Sequence, residues 1–119
     1  MNKNTAITIF ESLSSAIRLD IYRLLIRMGK EGMVAGEIAS TLDVPSTNLS
    51  FHLKALTHSG LINVEQEGRF QRYRANLPLM LGLIAYLTDE CCAGKPETCG
   101  DFSAEAICSQ CADSATGKC

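Results

Sequence analysis

The sequence predicts a mainly α-helical fold with one small β-hairpin before the last helix. Three observations carry this. Apolar residues recur at three- and four-residue spacing through residues 5–58. Glycines at 29, 32 and 60 fall where that spacing stops. Two short segments of strand composition then flank Gln66-Glu67-Gly68-Arg69, a hairpin turn by its residues.

Each element has its own reason. Asn4 or Thr5 can cap a first helix with Ala6, Phe10 and Leu13 on one face. Ser14 or Ser15 caps a second, whose apolar positions are Ile17, Ile21, Leu24, Leu25 and Met28, and Gly29 and Gly32 break it. Val34, Ile38 and Leu42 are spaced by four and predict a short third helix through Asp43. Val44-Pro45-Ser46 reads as a turn followed by a cap. A fourth helix runs from Thr47 to His58, with Leu49, Leu53 and Leu56 inward and Gly60 as terminator. The strands are Leu61 to Glu65 and Phe70 to Arg74. Asn76 caps a fifth helix, Leu77 to Glu90, with Pro78 in the first turn, where proline is tolerated.

That fifth helix is apolar nearly all round: Leu79, Met80, Leu81, Leu83, Ile84, Tyr86 and Leu87. A helix of this kind needs burial on more than one side. The expectation is a homodimer through terminal helices, with a central core helix in a monomer as the alternative. Residues 93–119, rich in Gly, Ala, Ser, Asp and Cys, read as a loosely ordered tail. The division is therefore residues 1–92 as the folded domain and 93–119 as a cysteine-containing tail.

Charge is divided the same way. The net charge is −2 over 119 residues. Residues 1–75 carry nine Lys and Arg against seven Asp and Glu, and residues 76–119 carry two against six. Polyanion binding depends on local basic surface, so the first part remains competent for it. The longest apolar run, Leu77 to Leu87, is too short to span a bilayer, and Met1-Asn2-Lys3-Asn4 lacks the form of a secretory signal. The expected location is cytoplasmic, with no membrane partner. Six cysteines in that compartment read as metal ligands or redox thiols. Two histidines, both in the fourth helix, and no clustered acids give no acid–base constellation, which excludes an enzyme of that kind.

Four helices, a hairpin and a helix are the order of a winged helix-turn-helix. The fourth helix combines its inward leucines with an outward hydrogen-bonding set: Ser46, Thr47, Asn48, Ser50, His52, Lys54 and Thr57. Such groups can contact base edges or phosphates of double-stranded DNA. Ser46 and Thr47 can equally cap the helix, and His52 can equally tie the helix to its surroundings. In the hairpin, Arg69, Arg72 and Arg74 can contact phosphates or a minor groove; a solvated edge is the plainer reading.

Ser12-Leu13-Ser14-Ser15-Ala16-Ile17-Arg18-Leu19-Asp20-Ile21-Tyr22-Arg23-Leu24-Leu25 resembles the second-helix signature of the ArsR/SmtB family of bacterial repressors. Ser50-Phe51-His52-Leu53-Lys54-Ala55-Leu56 with Ser59-Gly60-Leu61-Ile62 resembles its recognition-helix signature. The resemblance covers residues 5–92 and implies a homodimeric repressor that leaves operator DNA on binding a metal or metalloid. Two sensing sites of the family have no counterpart here. The third-helix segment Met33-Val34-Ala35-Gly36-Glu37-Ile38 has no cysteine, and the last helix has no histidine. The pattern is instead similar to a variant arsenical repressor in which Cys91, Cys92 and Cys99 bind trivalent arsenic or antimony. Three thiolates suit a soft centre, and Gly94 and Pro96 loosen the chain between the pair and the third sulfur. Cys108, Cys111 and Cys119 read as accessory. A thiol redox sensor and a zinc-binding regulator on the same scaffold stay open as alternatives.

Overall fold

A computed structural model describes residues 1–89 of the chain. Its elements are α1 (Lys3–Leu13), α2 (Ala16–Met28), a 3-10 turn (Gly29–Glu31), β1 (Met33–Val34), α3 (Ala35–Leu42), α4 (Ser46–His58), β2 (Ile62–Glu67), β3 (Phe70–Ala75) and α5 (Leu77–Leu87). Met1–Tyr86 make one compact unit; a second begins at Leu87, and of it Leu87, Thr88 and Asp89 are described. No helix among the described residues is long and apolar enough to cross a membrane.

The helical core forms where the apolar spacing places it. Ile9 of α1, Ile21 and Leu25 of α2, Ile38 of α3, and Leu49, Leu53 and Leu56 of α4 are fully buried together with Leu61 and Ile62. At roughly 1.5–3 kcal/mol for each large aliphatic side chain removed from water, this cluster is the main favourable contribution to the fold. The first helix differs from expectation. Its cap is Asn2, whose side chain accepts from the Thr5 amide at 2.8 Å, and its buried face is Ala6, Ile9 and Ser12. Phe10 points to solvent. The buried face is centred on Ile9, and Phe10, the next residue, lies about 100° around the helix from it. Ser15 occupies the α2 N-cap but makes no side-chain cap bond, and Ser14 closes α1 by donating to the Glu11 carbonyl. Tyr22, absent from the predicted apolar stripe, is buried.

The end of α4 is a full Schellman closure: the Gly60 amide donates to the Thr57 carbonyl at 3.0 Å and the Leu61 amide to the Leu56 carbonyl at 3.1 Å. Gly60 takes φ 86°, which a side chain would resist. The chain then enters a three-stranded antiparallel sheet of order β1-β3-β2, where the sequence predicted a two-stranded hairpin. The added strand pairs Met33 with Tyr73 and Val34 with Arg72. Two residues are too few for an alternating pattern to show in the sequence. The hairpin turn is also tighter than expected. Glu67 pairs with Phe70, leaving Gly68-Arg69 as a two-residue turn with positive φ at Gly68. Gly32 is required for the added strand. It has φ +60°, and a Cβ there would run into the Tyr73 carbonyl oxygen.

Asn76 caps α5 as predicted, accepting weakly from the Leu79 amide at 3.4 Å. Leu83 of α5 is buried, and Leu79 and Met80 pack against the core. Leu77 (48 %) and Leu81 (55 %) remain exposed.

Two outcomes follow. Gly32→Ala should destabilise the protein well beyond Gly29→Ala in urea titration. Both glycines have positive φ, about 1 kcal/mol of strain each for alanine, but only Gly32 adds the collision with Tyr73. Tyr22→Phe should raise stability by about 1 kcal/mol, since the Tyr22 hydroxyl is buried without a hydrogen-bond partner among the described residues. Burial also pushes the Tyr22 and Tyr73 phenols above their usual pKa. A folded-state pKa above the unfolded one contributes stability fully below about pH 10 and loses it as pH rises further. Thermal melts above that pH should therefore decline less steeply for Tyr22→Phe than for the parent.

Candidate DNA-binding surface

The surface begins at the turn between α3 and α4. Asp43 ends α3 in the left-handed region, φ 54° and ψ 51°, a conformation Asp tolerates better than most residues. Val44 then bonds back to the Ala39 carbonyl at 3.1 Å. Pro45 holds an extended ψ of 140° and its carbonyl accepts the first helical bond, from Leu49 at 2.9 Å. Ser46 was expected as the cap; it is the first helical residue. Neither Ser46 nor Thr47 caps α4, and no other side chain among the described residues does. The first-turn amides are thus left facing outward, together with the positive end of the helix, an arrangement that favours phosphate.

Steps of about 100° per residue map the rest of the helix. With Leu49, Leu53 and Leu56 buried, the outward pole is Thr47, Phe51, Lys54 and His58, all exposed. Ser46 and Asn48 lie exposed at the leading end. Ser50 and Thr57 turn toward the sheet. With Lys54, His58, Val64, Gln71 and Tyr73 they line a groove of about 390 Å³ between α4 and the hairpin. His52 turns the other way. It is half-buried, and its Nδ1 accepts from Arg18 Nε of α2 at 3.2 Å. An accepting Nδ1 places the ring hydrogen of neutral His52 on Nε2.

The three hairpin arginines divide. Arg72 binds Glu67 at 2.9 Å and donates to the Glu31 carbonyl; Arg74 binds Glu65 at 2.8 Å and donates to the Lys30 carbonyl. They share a face, as their alternation predicted, and that face stitches β3 to the 3-10 turn. The Glu67 hydrogen bond raises the Arg72 pKa further above its usual value. Arg69 stands exposed at the tip of the hairpin, with no hydrogen bond or ion pair among the described residues. Phe51, His58 and Gln71 were missed by the sequence reading; a helical wheel centred on the leucines finds the first two.

Among the described residues no three His, Cys, Asp or Glu side chains are grouped to hold a metal ion. Cys91, Cys92 and Cys99, and with them Cys108, Cys111 and Cys119, lie outside the described residues.

A turn-linked helix pair with an outward polar face, followed by a basic-tipped hairpin, defines a winged helix-turn-helix DNA-binding regulator. Its fold is not that of an enzyme. Comparison with known families places a match to the family described as "Helix-turn-helix domain" over residues 13–65. Among solved structures the chain is similar to an ArsR-like transcriptional regulator from a Rhodococcus species: 28% identity, 71% of this chain, 76% of that chain, TM-score 0.63. It is similar also to HlyU from Vibrio cholerae, at 27% identity over 73% of this chain and 97% of that one, TM-score 0.58. A homodimeric winged helix-turn-helix DNA-binding domain from Mycobacterium bovis matches at 26% identity, 73% and 81% coverage, and TM-score 0.58. None of the curated proteins matches the chain. The chain is thus a winged helix-turn-helix protein similar to ArsR-like transcriptional regulators.

The unpaired and paired arginines should behave differently. Arg69→Ala should reduce the slope of log affinity against log salt by about 1, measured by fluorescence anisotropy on duplex DNA. Arg72→Ala and Arg74→Ala should lower the melting temperature, because each leaves a backbone carbonyl of the 3-10 turn without its donor.

Proposed function

We propose that the chain is a metalloid-responsive repressor. It binds operator DNA as a homodimer and dissociates when trivalent arsenic or antimony binds Cys91, Cys92 and Cys99. The observation that carries this is the segregation of chemistry along the chain. The DNA-facing surface holds no cysteine, and all six thiols follow α5 in the sequence. Three soft thiolates fit a thiophilic centre better than a hard cation. Cytoplasmic location fits a regulator of DNA with reduced thiols.

Dimerisation rests on apolar surface left open on the terminal helices. Ile7 (45 %) and Phe10 (47 %) of α1, with Leu77 and Leu81 of α5, are exposed side chains of a kind that normally marks an interface. The Mycobacterium bovis neighbour is homodimeric. In a dimer the two α4 helices must meet successive major-groove faces about 34 Å apart. A change in subunit orientation at α5 therefore weakens DNA binding, by a coupling energy of about 1–3 kcal/mol in such switches. In this reading Ser46, Thr47, Asn48, Ser50 and Lys54 contact DNA from α4 and Arg69 from the hairpin. His52 contributes Nε2–H from the flank, and Arg72 and Arg74 act mainly by holding the hairpin. Residues 1–92 form the reading and dimerisation domain, and 93–119 the cysteine-bearing tail.

A thiol redox response is the second reading. One observation favours it: HlyU, 26% identical, has been solved in a form described as reduced.

Anisotropy of the reduced protein on its own upstream DNA, titrated with arsenite, decides between them. Release near one ion per chain, abolished by Cys91→Ser, Cys92→Ser or Cys99→Ser with DNA affinity unchanged, is the expected result. Binding that ignores arsenite but is lost with peroxide would transfer the function to redox sensing; loss with zinc alone would make the protein a zinc-responsive regulator.

A further inference from the structure

Phe51 is the most exposed of the large apolar side chains among the described residues, at 68 %. It lies on the outward pole of α4, one turn from the polar Thr47 and Lys54. Nothing among the described residues covers it. Leaving such a ring in water forgoes most of the benefit of burying it, so its place at the centre of the reading face calls for an apolar partner there. The ring is also held. It stands edge-on to His52, with centroids 6.0 Å apart and planes at 80°. His52 is in turn fixed by the Arg18 hydrogen bond.

We infer that Phe51 is a specificity-determining residue that reads thymine in the major groove. The inference rests on the DNA-binding reading above and extends it. Base-pair edges in that groove offer donors and acceptors at every position, but only one apolar group, the thymine C5-methyl. A side chain with no hydrogen-bonding atom can discriminate there only through that methyl. The uncapped amides at the start of α4 and the cations Lys54 and Arg69 supply the charge complementarity that brings the face to DNA. Arg18 and His52 are positioning residues for the ring.

The test uses the full-length reduced protein. Duplexes enriched from a random pool define its preferred sequence. Each thymine in that sequence is then replaced by deoxyuridine, which removes the methyl and keeps the hydrogen-bonding edge. The expected result is one thymine per half-site whose replacement weakens binding about fourfold, the worth of one buried methyl-sized group. With Phe51→Ala the same replacement should change nothing; with Phe51→Leu part of the effect should remain. Both variants should melt with the parent, because the ring is outside the core. Enriched duplexes that bind equally well with deoxyuridine throughout would overturn the inference while leaving DNA binding intact. So would a uridine penalty that persists undiminished in Phe51→Ala. Failure to enrich any duplex would overturn the DNA-binding reading itself.

Discussion

The orientation of α4 is set by three leucines. Leu49, Leu53 and Leu56 are almost completely buried, on one stripe of the helix, against a core that includes Ile38 of α3 and Ile21 and Leu25 of α2. A helix can bury only one such stripe and keep the other exposed. Burial of the leucines therefore decides which residues reach outward, and it does so without any polar contact having to be correct first. Thr47, Phe51, Lys54 and His58 are presented because they lie opposite. Ser50 and Thr57 turn toward the hairpin and His52 toward α2 for the same reason. The turn at Asp43 to Pro45 then aims the start of the helix. The Schellman closure at Gly60 aims its end, so that β2 leaves in a fixed direction.

What could be read from the sequence follows from this. Stripes at helical spacing, the glycines that end them and the order of elements are local signals. They located all five helices and the hairpin, and they supported the winged helix-turn-helix. The polar assignments on α4 were right about exposure at Ser46, Thr47, Asn48, Ser50 and Lys54, but they missed its centre. Phe51 looks like a core residue by composition, and only its angle from the leucines shows otherwise. Contacts between distant positions were not legible. Arg18 and His52 are 34 residues apart, and nothing local in either marks the pairing. Arg72 and Arg74 resembled free cations because their partners include backbone carbonyls of the 3-10 turn, which any sequence supplies. The added strand β1 was hidden by its length. The cysteine site was read from residue chemistry and resemblance alone, and it lies outside the described residues.

Electrostatically, the reading surface is sparing. With Arg72 and Arg74 engaged by Glu67, Glu65 and the 3-10 turn, Lys54 and Arg69 are the cations directed outward from α4 and the hairpin tip. Exposed ion pairs contribute little to stability, typically 0–1 kcal/mol. The importance of these pairs here lies in the charge they withhold from the surface. In the proposed dimer, phosphate attraction then comes from the amides at the start of α4 and from two copies of the surface acting together. A weakly charged reading head binds non-specific DNA weakly, and this places more of the discrimination on direct contacts with bases. It would also ease the proposed release, because a modest rearrangement between two subunits removes a large share of a modest affinity.

In the proposed switch the signal passes through α5, and the connection from α5 to α4 is short. Asn76, at the start of α5, makes the connection through its amide and its side chain. Its amide donates to the Leu61 carbonyl and its side-chain Nδ2 to the Gly60 carbonyl, both at 2.8 Å. Its Oδ1 accepts from Leu79 within α5. Gly60 and Leu61 are the residues whose amides close the end of α4. The first turn of α5 and the last turn of α4 are therefore joined through one side chain and one glycine, with no intervening loop to absorb a displacement. In the proposed switch a tilt of α5 would therefore bear directly on the end of α4. The proposed repressor would need such a coupling to release DNA and remain folded.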